Sequence, residues 1–476
     1  SAYSLTGINI GITALDLEQT EHRGIAQVTK NIISALSAEK ANIFLITNYT
    51  GSRLININTR SVSRTAINEI TISDILEQLK ETEDYRNIYV KKILLYLRLP
   101  KIILDYYFRL GELSSYIYLL NNNHKSIHCD SERMSYIQHL KGIISSPYIF
   151  NICSLKSRNL IMGTPKINLK KCNLDIIISA SPLSLKIIKN KSCNNKLIQI
   201  IHDAIPLLYN KHPDHPVQFY NRLKDAIDAD NVLYVSKSTK EIIHNILERK
   251  DISKKDYDII NPIPSLSNDY LKKANLYRSK CDPESNFILF NSSIVSRKNL
   301  DNLIYNFLSS RLPENDYKLC VAGKIHENEY CRYIKKIANS YNCINLLGYV
   351  SEIDKAWLYL NASAFVSPSL TEGFGIPALD ACCLGMPALL SEIPSHEEIY
   401  KKFKINKHIK LIPTNDNDKW ITNMDLLLKN KTKLEENEKT SRLNLYQKNH
   451  SFFSNQFKHI LKDSIKKNKV KESEWI

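Results

Sequence analysis

Short apolar runs alternate with longer stretches of helical spacing along most of this chain. "INIGI" (8–12) has the unbroken apolar character of a strand buried on both faces. "GIAQVTKNIISALSA" (24–38) follows it, with Ile25, Val28, Ile32, Ile33 and Leu36 on one helical face. "NIFLIT" (42–47), "LDIIISA" (174–180), "KLIQIIHD" (196–203), "NVLYVS" (231–236) and "DYDIINP" (256–262) read as further strands, with a helix at "KSTKEIIHNIL" (237–247). Strand and helix taking turns in this way imply βαβ units, hence parallel sheets with crossover helices.

The alternation stops and then restarts. "PIPSLSNDYLKKANLYRSKCDPES" (262–285) carries Pro and Ser without a strand pattern and reads as a linker. Beyond it, "FILFNSSI" (287–294), "YKLCVAGK" (317–324), "INLLGYV" (344–350), "ASAFVSPS" (362–369) and "PALLSEI" (387–393) are strands, and "NLDNLIYNFLSS" (299–310) and "NEYCRYIKKIANSY" (328–341) are helices between them. The fold class is therefore α/β, with two doubly wound, Rossmann-like domains in tandem. The first covers 1–265, a linker 266–285, and the second 286–455. "SFFSNQFKHILKDSIKK" (451–467) marks a terminal helix, placed at 456–476, that crosses back to the first domain.

Residues 51–150 break the pattern and read as an insertion. Within them, 85–120 interleaves Lys91, Lys92, Arg98, Lys101 and Arg109 with Ile, Leu and Tyr. Two readings stand open: a basic amphipathic helix lying in a membrane interface, or an interior helix of a large enzyme.

Composition narrows this only a little. A chain of 476 residues suits two domains. The net charge of +16 favours polyanionic partners such as phosphorylated substrates or anionic lipid. Nucleic-acid binding rests on that charge alone and is not expected. Ten cysteines without CxxC spacing suit neither zinc nor a disulfide framework, and point to a reducing cytoplasm. No leader pattern and no stretch of ~18 uncharged apolar residues is visible.

Candidate chemistry follows strands, where ligands of open α/β sheets gather. "LTEGFG" (370–375) joins a strand to the helix "IPALDACCL" (376–384), with Pro377 suited to the first turn and Gly385 to the cap. Gly373 and Gly375 let the backbone approach a ligand, and the helix N-terminus favours an anion. Glu372 and Asp380 can accept hydrogen bonds from hydroxyls on either side of a diphosphate. Arg297 and Lys298 open another helix after a strand and would meet that diphosphate. His202 and Asp203 lie at a strand end. Gly24 follows the first strand but falls short of a dinucleotide fingerprint. Asp416 and Asp418 in "NDND" make a DxD-like pair that reads as a polar loop rather than a metal site.

Taken together these segments resemble the retaining GT-B glycosyltransferases of glycosyltransferase family 4. Glu372 through Asp380 is similar to that family's E-x7-E motif, and Arg297 and Lys298 to its phosphate-binding basic pair. "AGK" (322–324), "LLGYVSEIDKAWLY" (346–359) and "FVSPSLTEGFGIPALDA" (365–381) follow in the family's order. The resemblance implies two domains facing a central cleft, with the donor on the second. It implies that Glu372 contacts the donor sugar, that Phe374 and Gly375 amides lie near sugar and phosphate, and that Asp380 holds the ribose. By the same resemblance Arg297 and Lys298 neutralise the diphosphate, His202 works at the reaction centre, and backbone near Tyr349 and Val350 meets the base; Gly24 is expected against a phosphate only from its place after the first strand. Two departures stand out: Asp380 is one methylene shorter than the family's glutamate, and Ser292 stands where many members carry a second basic residue.

The implied reaction is metal-free, retaining transfer of a hexose such as mannose or rhamnose from a nucleotide-diphosphate sugar. The acceptor is a glycan or polyprenyl-diphosphate-linked glycan of a bacterial surface polysaccharide, handled at the inner face of the cytoplasmic membrane. A non-hydrolysing sugar-nucleotide epimerase and an inactive sugar-nucleotide-binding protein are the alternatives.

Overall fold

The computed structural model describes residues 4–19, 22, 24–51, 63–81, 85–129, 131–188, 195–247, 257–403, 406–429 and 434–466, without the side chains of 85–92 and 257. The first domain is built on an eight-stranded sheet. In spatial order its strands are Tyr257–Ile259, Asn231–Tyr234, Lys196–Ile201, Ile176–Ser179, Asn9–Thr13, Asn42–Thr47, Gly142–Ser145 and Tyr116–Leu119. All neighbours are parallel except Tyr116–Leu119, which runs antiparallel along Gly142–Ser145. The second domain carries a six-stranded parallel sheet in the order Ile344–Gly348, Tyr317–Ala322, Asn286–Asn291, Ala364–Ser367, Ala388–Ser391, Ile409–Ile412.

Apolar side chains on both faces explain why these runs become central strands. Ile10, Ile12, Ile178, Ile198 and Ile200 in the first sheet, and Ile288, Leu289, Leu319 and Val321 in the second, are each fully buried. Helices cover them with one apolar stripe: Ile25–Ala38 buries Val28, Ile32, Ile33 and Leu36, and Leu300–Ser309 buries Leu303, Ile304 and Phe307. Both sheets reverse their winding direction once. The reversal falls between Asn9–Thr13 and Ile176–Ser179 in the first domain, and between Asn286–Asn291 and Ala364–Ser367 in the second. Such switch points splay the following loops apart and leave a crevice.

Three features differ from the sequence-based expectation. The linker contains a helix, Asn268–Ala274, capped by Ser267, whose hydroxyl accepts from Tyr270 N at 3.4 Å. The terminal helix is a single 31-residue unit, Glu436–Lys466, that runs through the boundary set at 455. It packs on the second domain, where Asn449 Nδ2 donates to Cys383 O at 2.9 Å. At its far end it reaches the first domain, where Lys462 Nζ meets Glu39 at 2.5 Å and Lys196 Nζ donates to Ser464 O. Residues 467–476 of the expected helix lie outside the described residues.

The third is the 85–120 segment, which forms a 24-residue helix, Tyr85–Phe108. It is not an interior helix. Ile102 and Tyr106 anchor it, whereas Ile93, Leu94, Tyr96, Leu97, Leu104 and Phe108 are exposed. Arg98, Lys101 and Arg109 are exposed among them, and the side chains of Lys91 and Lys92 lie outside the described residues. No helix among the described residues is long and apolar enough to cross a membrane.

Candidate functional site

Two loops meet at the switch point of the second sheet. The strand Asn286–Asn291 leads through Ser292 into a 3₁₀ turn at Ser296–Lys298, and the strand Ala364–Ser367 leads into Pro368–Gly375. Their backbones are joined by Leu370 N donating to Arg297 O at 2.8 Å. This places Lys298 Nζ in direct contact with Glu372 Oε1 and Arg297 NH1 at 3.3 Å from Glu372 Oε2, with Ser369 Oγ donating to Oε1 at 2.8 Å. Arg297 NH1 also donates to Thr371 O at 3.1 Å. Burial pushes the Glu372 carboxyl upward, but the two cations overcome it and hold the group down at about 2. Burial lowers the Lys298 ammonium, with Glu372 acting against that shift. The crevice behind the pair is closed to about 10 Å³, room for one water.

Gly375 starts the next helix, Ile376–Leu384, at φ +92°, a left-handed conformation that glycine adopts without strain. The buried His396 packs beneath it, 3.5 Å from where a Cβ would stand. His396 Nδ1 is 2.9 Å from Ser391 O, which makes Nδ1 the donor and leaves Nε2 as acceptor, 3.4 Å from Ser367 Oγ. Phe374 and Val350 are buried by their side chains, while Tyr349 is exposed at the sheet edge.

The first domain supplies the facing wall. His202 follows the strand Lys196–Ile201 and is 7% exposed, with Nε2 donating to Ala180 O at 2.6 Å. Its carbonyl lies against Gly373 of the second domain. A Cβ on Gly373 would come within 2.5 Å of His202 O, so the absent side chain serves domain contact rather than ligand approach. Ser236 Oγ and Thr239 Oγ1 donate to Gly373 O at 2.8 and 3.3 Å. Tyr209 OH and Ser296 Oγ bridge the domains at 2.6 Å. Gly24, at φ +49°, begins the helix Ile25–Ala38 with open space beside it; its neighbour Arg23 lies outside the described residues.

Asp380, which the resemblance expects to hold a ribose, is bonded within the protein. It is 1% exposed, and its oxygens are taken by Ser265 N at 2.6 Å, Ser265 Oγ at 2.5 Å and Tyr446 OH at 3.4 Å. It therefore ties the Gly375-capped helix to the chain leaving the first domain and to the terminal helix. Burial raises its carboxyl to about 6, against the Ser265 hydrogen bonds. Asp416 caps the helix Asn417–Leu426, accepting from Lys419 N at 3.1 Å, so the DxD-like pair is a helix start. Among the described residues no three His, Cys, Asp or Glu are grouped to hold a metal ion. A larger cavity, about 470 Å³, lies behind the domain contact and is lined by Lys237, Glu398, Lys402 and Phe457 among others, but by none of the expected site residues.

The structure thus brings Glu372, Lys298, Arg297 and Gly375 together, sets His202 against their loop, and engages Asp380 with Ser265 and Tyr446. Sequence reasoning missed Ser369, His396 and Ser236. Each bears an ordinary buried hydroxyl or ring. Ser369 and Ser236 signal themselves only by position just after a strand, and His396 lies inside the helix Pro394–Lys402.

Residues 274–469 match the family model of glycosyl transferases group 1. The serotype-specific mannosyltransferase WbdA of Escherichia coli is 28% identical over 220 residues, covering 43% of this chain and 26% of that protein. The O-antigen chain mannosyltransferase RfbU of Salmonella typhimurium is 25% identical over 215 residues, covering 43% of this chain and 59% of that protein. The chain spans between a quarter and three-fifths of the length of these relatives. In fold it is similar to sucrose-phosphate synthase from Thermosynechococcus elongatus, with a TM-score of 0.54 over 96% of this chain and 98% of that one at 12% identity. The two facing Rossmann-like domains are the GT-B fold.

Proposed function

We propose that this chain, a GT-B protein that residues 274–469 make a member of the glycosyl transferases group 1 family, moves a hexose from a nucleotide-diphosphate sugar to a glycan acceptor. Mannose is the first sugar to test, because the relatives are named as a serotype-specific mannosyltransferase and an O-antigen chain mannosyltransferase. A lipid-linked glycan of a surface polysaccharide is the acceptor this reading favours.

The observation that carries the proposal is the ion cluster at the second switch point. Lys298 and Arg297 are two cations turned on one buried carboxylate. An arriving diphosphate takes over those cations, and Glu372 is then free to accept hydrogen bonds from the sugar hydroxyls. As the bond to the sugar breaks, negative charge grows on the leaving diphosphate. Fixed cations in a water-poor crevice stabilise that charge without reorganising. Side-chain cations supply the charge neutralisation, so no metal is assigned to the step. The acceptor hydroxyl attacks the face the diphosphate leaves, giving retention, and its proton passes to the departing phosphate oxygen. His202, fixed through Nε2, shapes the facing wall.

The helix Tyr85–Phe108 supports work at an anionic membrane surface. Its exposed Tyr96, Leu97, Leu104 and Phe108 alternate with Arg98, Lys101 and Arg109. The test of the whole reading is direct. The protein is screened with GDP-, UDP- and dTDP-sugars by thermal shift, and the donor that raises the melting temperature is incubated with oligosaccharide acceptors. A mass gain of one hexose on the acceptor, with the donor's anomeric configuration, is the expected result. A released epimer without acceptor product points to an epimerase, and binding without turnover to an inactive sugar-nucleotide-binding protein.

A further inference from the structure

The switch point of the first sheet carries a carboxylate that the transfer chemistry above does not use. Asp16 lies in the loop after the strand Asn9–Thr13, and Ser181 lies after Ile176–Ser179, the two strands between which the winding reverses. The next strand, Lys196–Ile201, delivers His202 beside them. Three strand ends therefore converge on the wall that faces Glu372, in the crevice where a doubly wound sheet takes its ligand.

The hydrogen bonding of Asp16 is unlike that of the other buried carboxylates around the two domain faces. Glu372 receives two cations and a hydroxyl. Glu18 receives Thr47 Oγ1 at 2.5 Å and Asn48 N at 2.8 Å. Asp380 receives an amide and two hydroxyls. Asp16 receives the Ser181 hydroxyl, 2.8 Å from Oδ1 and 2.7 Å from Oδ2, and its own backbone N–H. An ionised carboxylate has about four acceptor sites. Among the described residues no lysine or arginine pairs with Asp16, which is half-buried. Burial pushes its carboxyl upward while His202 opposes the shift. The Asp16 charge adds to the burial that raises the neighbouring Glu18 carboxyl.

We infer that Asp16 is an acceptor-binding residue, its carboxylate taking the hydrogen bond of a hydroxyl on the terminal sugar of the acceptor. The inference rests on the transfer reading above. A neutral polyhydroxylated ring is the ligand class that fits: it brings O–H donors for the vacant lone pairs and no negative charge. The His202 ring, fixed through Nε2 on Ala180 O, stands on the same wall. The His202 carbonyl touches Gly373, next to Glu372, so a sugar held on this wall faces the donor loop.

The test compares wild type with Asp16→Asn, close in shape and lacking the charge. The donor nucleotide-sugar is expected to raise the melting temperature of both proteins equally. The KM for acceptor is expected to rise and kcat/KM to fall about 10- to 100-fold, the range for a hydrogen bond to a charged group. Acceptors with single hydroxyls replaced by hydrogen then identify the contact. One deoxy acceptor is expected to lose as much as the variant with wild type and little more with Asp16→Asn. Losses that simply add for every deoxy acceptor overturn the inference, as does a variant whose donor binding falls with its transfer. The two readings fail differently: a wild-type protein that binds no nucleotide-sugar overturns the transfer reading itself, whereas wild-type transfer with an unaltered Asp16→Asn overturns only this one.

Discussion

Glu372 on the second domain and Glu18 on the first are both buried glutamates at the carboxyl edge of a parallel sheet, yet they sit at opposite ends of the carboxylate range. Glu372 is held at about 2 and Glu18 is pushed up to about 8. Burial acts upward on both. What differs is the company: Lys298 and Arg297 face Glu372, whereas Glu18 has a hydroxyl, an amide and the like charge of Asp16. One wall of the cleft is thus a charged pair awaiting a competitor for its cations. The other is an acidic, hydroxyl-lined surface suited to neutral donors. The difference matches a division of labour in which the second domain handles a phosphorylated sugar and the first an uncharged one.

The comparison breaks most severely at the ion cluster. Lys298→Ala leaves Glu372 with Arg297 as its one cation, and removing one partner of a buried pair costs about 3–5 kcal/mol. Urea unfolding is expected to show that loss, and sugar transfer to fall by roughly 10²–10³-fold, the scale of a lost charge-stabilising donor. The double variant Lys298→Met/Glu372→Leu is expected to be more stable than Lys298→Ala while remaining inactive. A double variant weaker than the single would mean that packing, not charge, holds these loops.

Acidity sharpens the contrast because the two glutamates have opposite signs. The folded-state value of Glu372 lies below the usual 4.5, so its stabilisation is present above that pH and is lost as pH falls through about 2. Glu18 is raised, so the fold is favoured where Glu18 is protonated, and stability falls as pH rises from 4.5 to about 8. Glu18→Gln removes that slope. Its stability relative to wild type is expected to climb by about 1.4 kcal/mol per pH unit across the window. A flat difference curve between pH 5 and 8 would show that Glu18 is not the buried acid described here.

How much of this was legible in the chain follows the same division. Strands, loops and helices of the second domain are visible because each apolar run is short and its punctuation is strong: Pro377 opens a helix and Gly385 closes it at φ +70°. Glu372, Arg297 and Lys298 are visible because their loops follow two such strands. Asp380 misled because spacing along a helix says nothing of which distant segment packs on it. Ser265, 115 residues away, decides that. In the first domain the strand Gly142–Ser145 has four residues and its antiparallel partner, "YIYL", shows no polar alternation. Neither signals itself against the helices around it. Asp16 is unremarked in "ALDLEQT" because a switch point exists only once strand order is known.

Asp380 offers the next smaller effect. Asp380→Ala leaves Ser265 N–H without its partner in a buried place, a loss of about 1–3 kcal/mol. Asp380→Asn keeps one acceptor and removes a charge that burial disfavours up to about pH 6, so it is expected to be milder at neutral pH. Because the residue ties the linker rather than a ribose, both variants are expected to retain nucleotide binding by thermal shift. Loss of binding with an intact fold would restore the ribose role.

The smallest effect tests whether the walls are held in register by the protein itself. Glu398, on the helix Pro394–Lys402 of the second domain, accepts from Lys237 N at 3.0 Å, Ser238 N at 3.2 Å and Asn261 Nδ2 at 3.3 Å of the first. A carboxylate at the N-terminus of Lys237–Leu247 satisfies amides that the helix cannot, and suits its dipole. Capping bonds are worth about 1 kcal/mol, too little to unfold either domain. Spent between domains, the same energy biases closure about fivefold. Glu398→Gln is therefore expected to leave the melting temperature within a few degrees while enlarging the radius of gyration measured by X-ray scattering. Saturating donor is expected to restore the compact value. If the variant stays compact without donor, the Gly373, Ser236 and Tyr209 contacts hold the walls together unaided, and the cap serves its own helix alone.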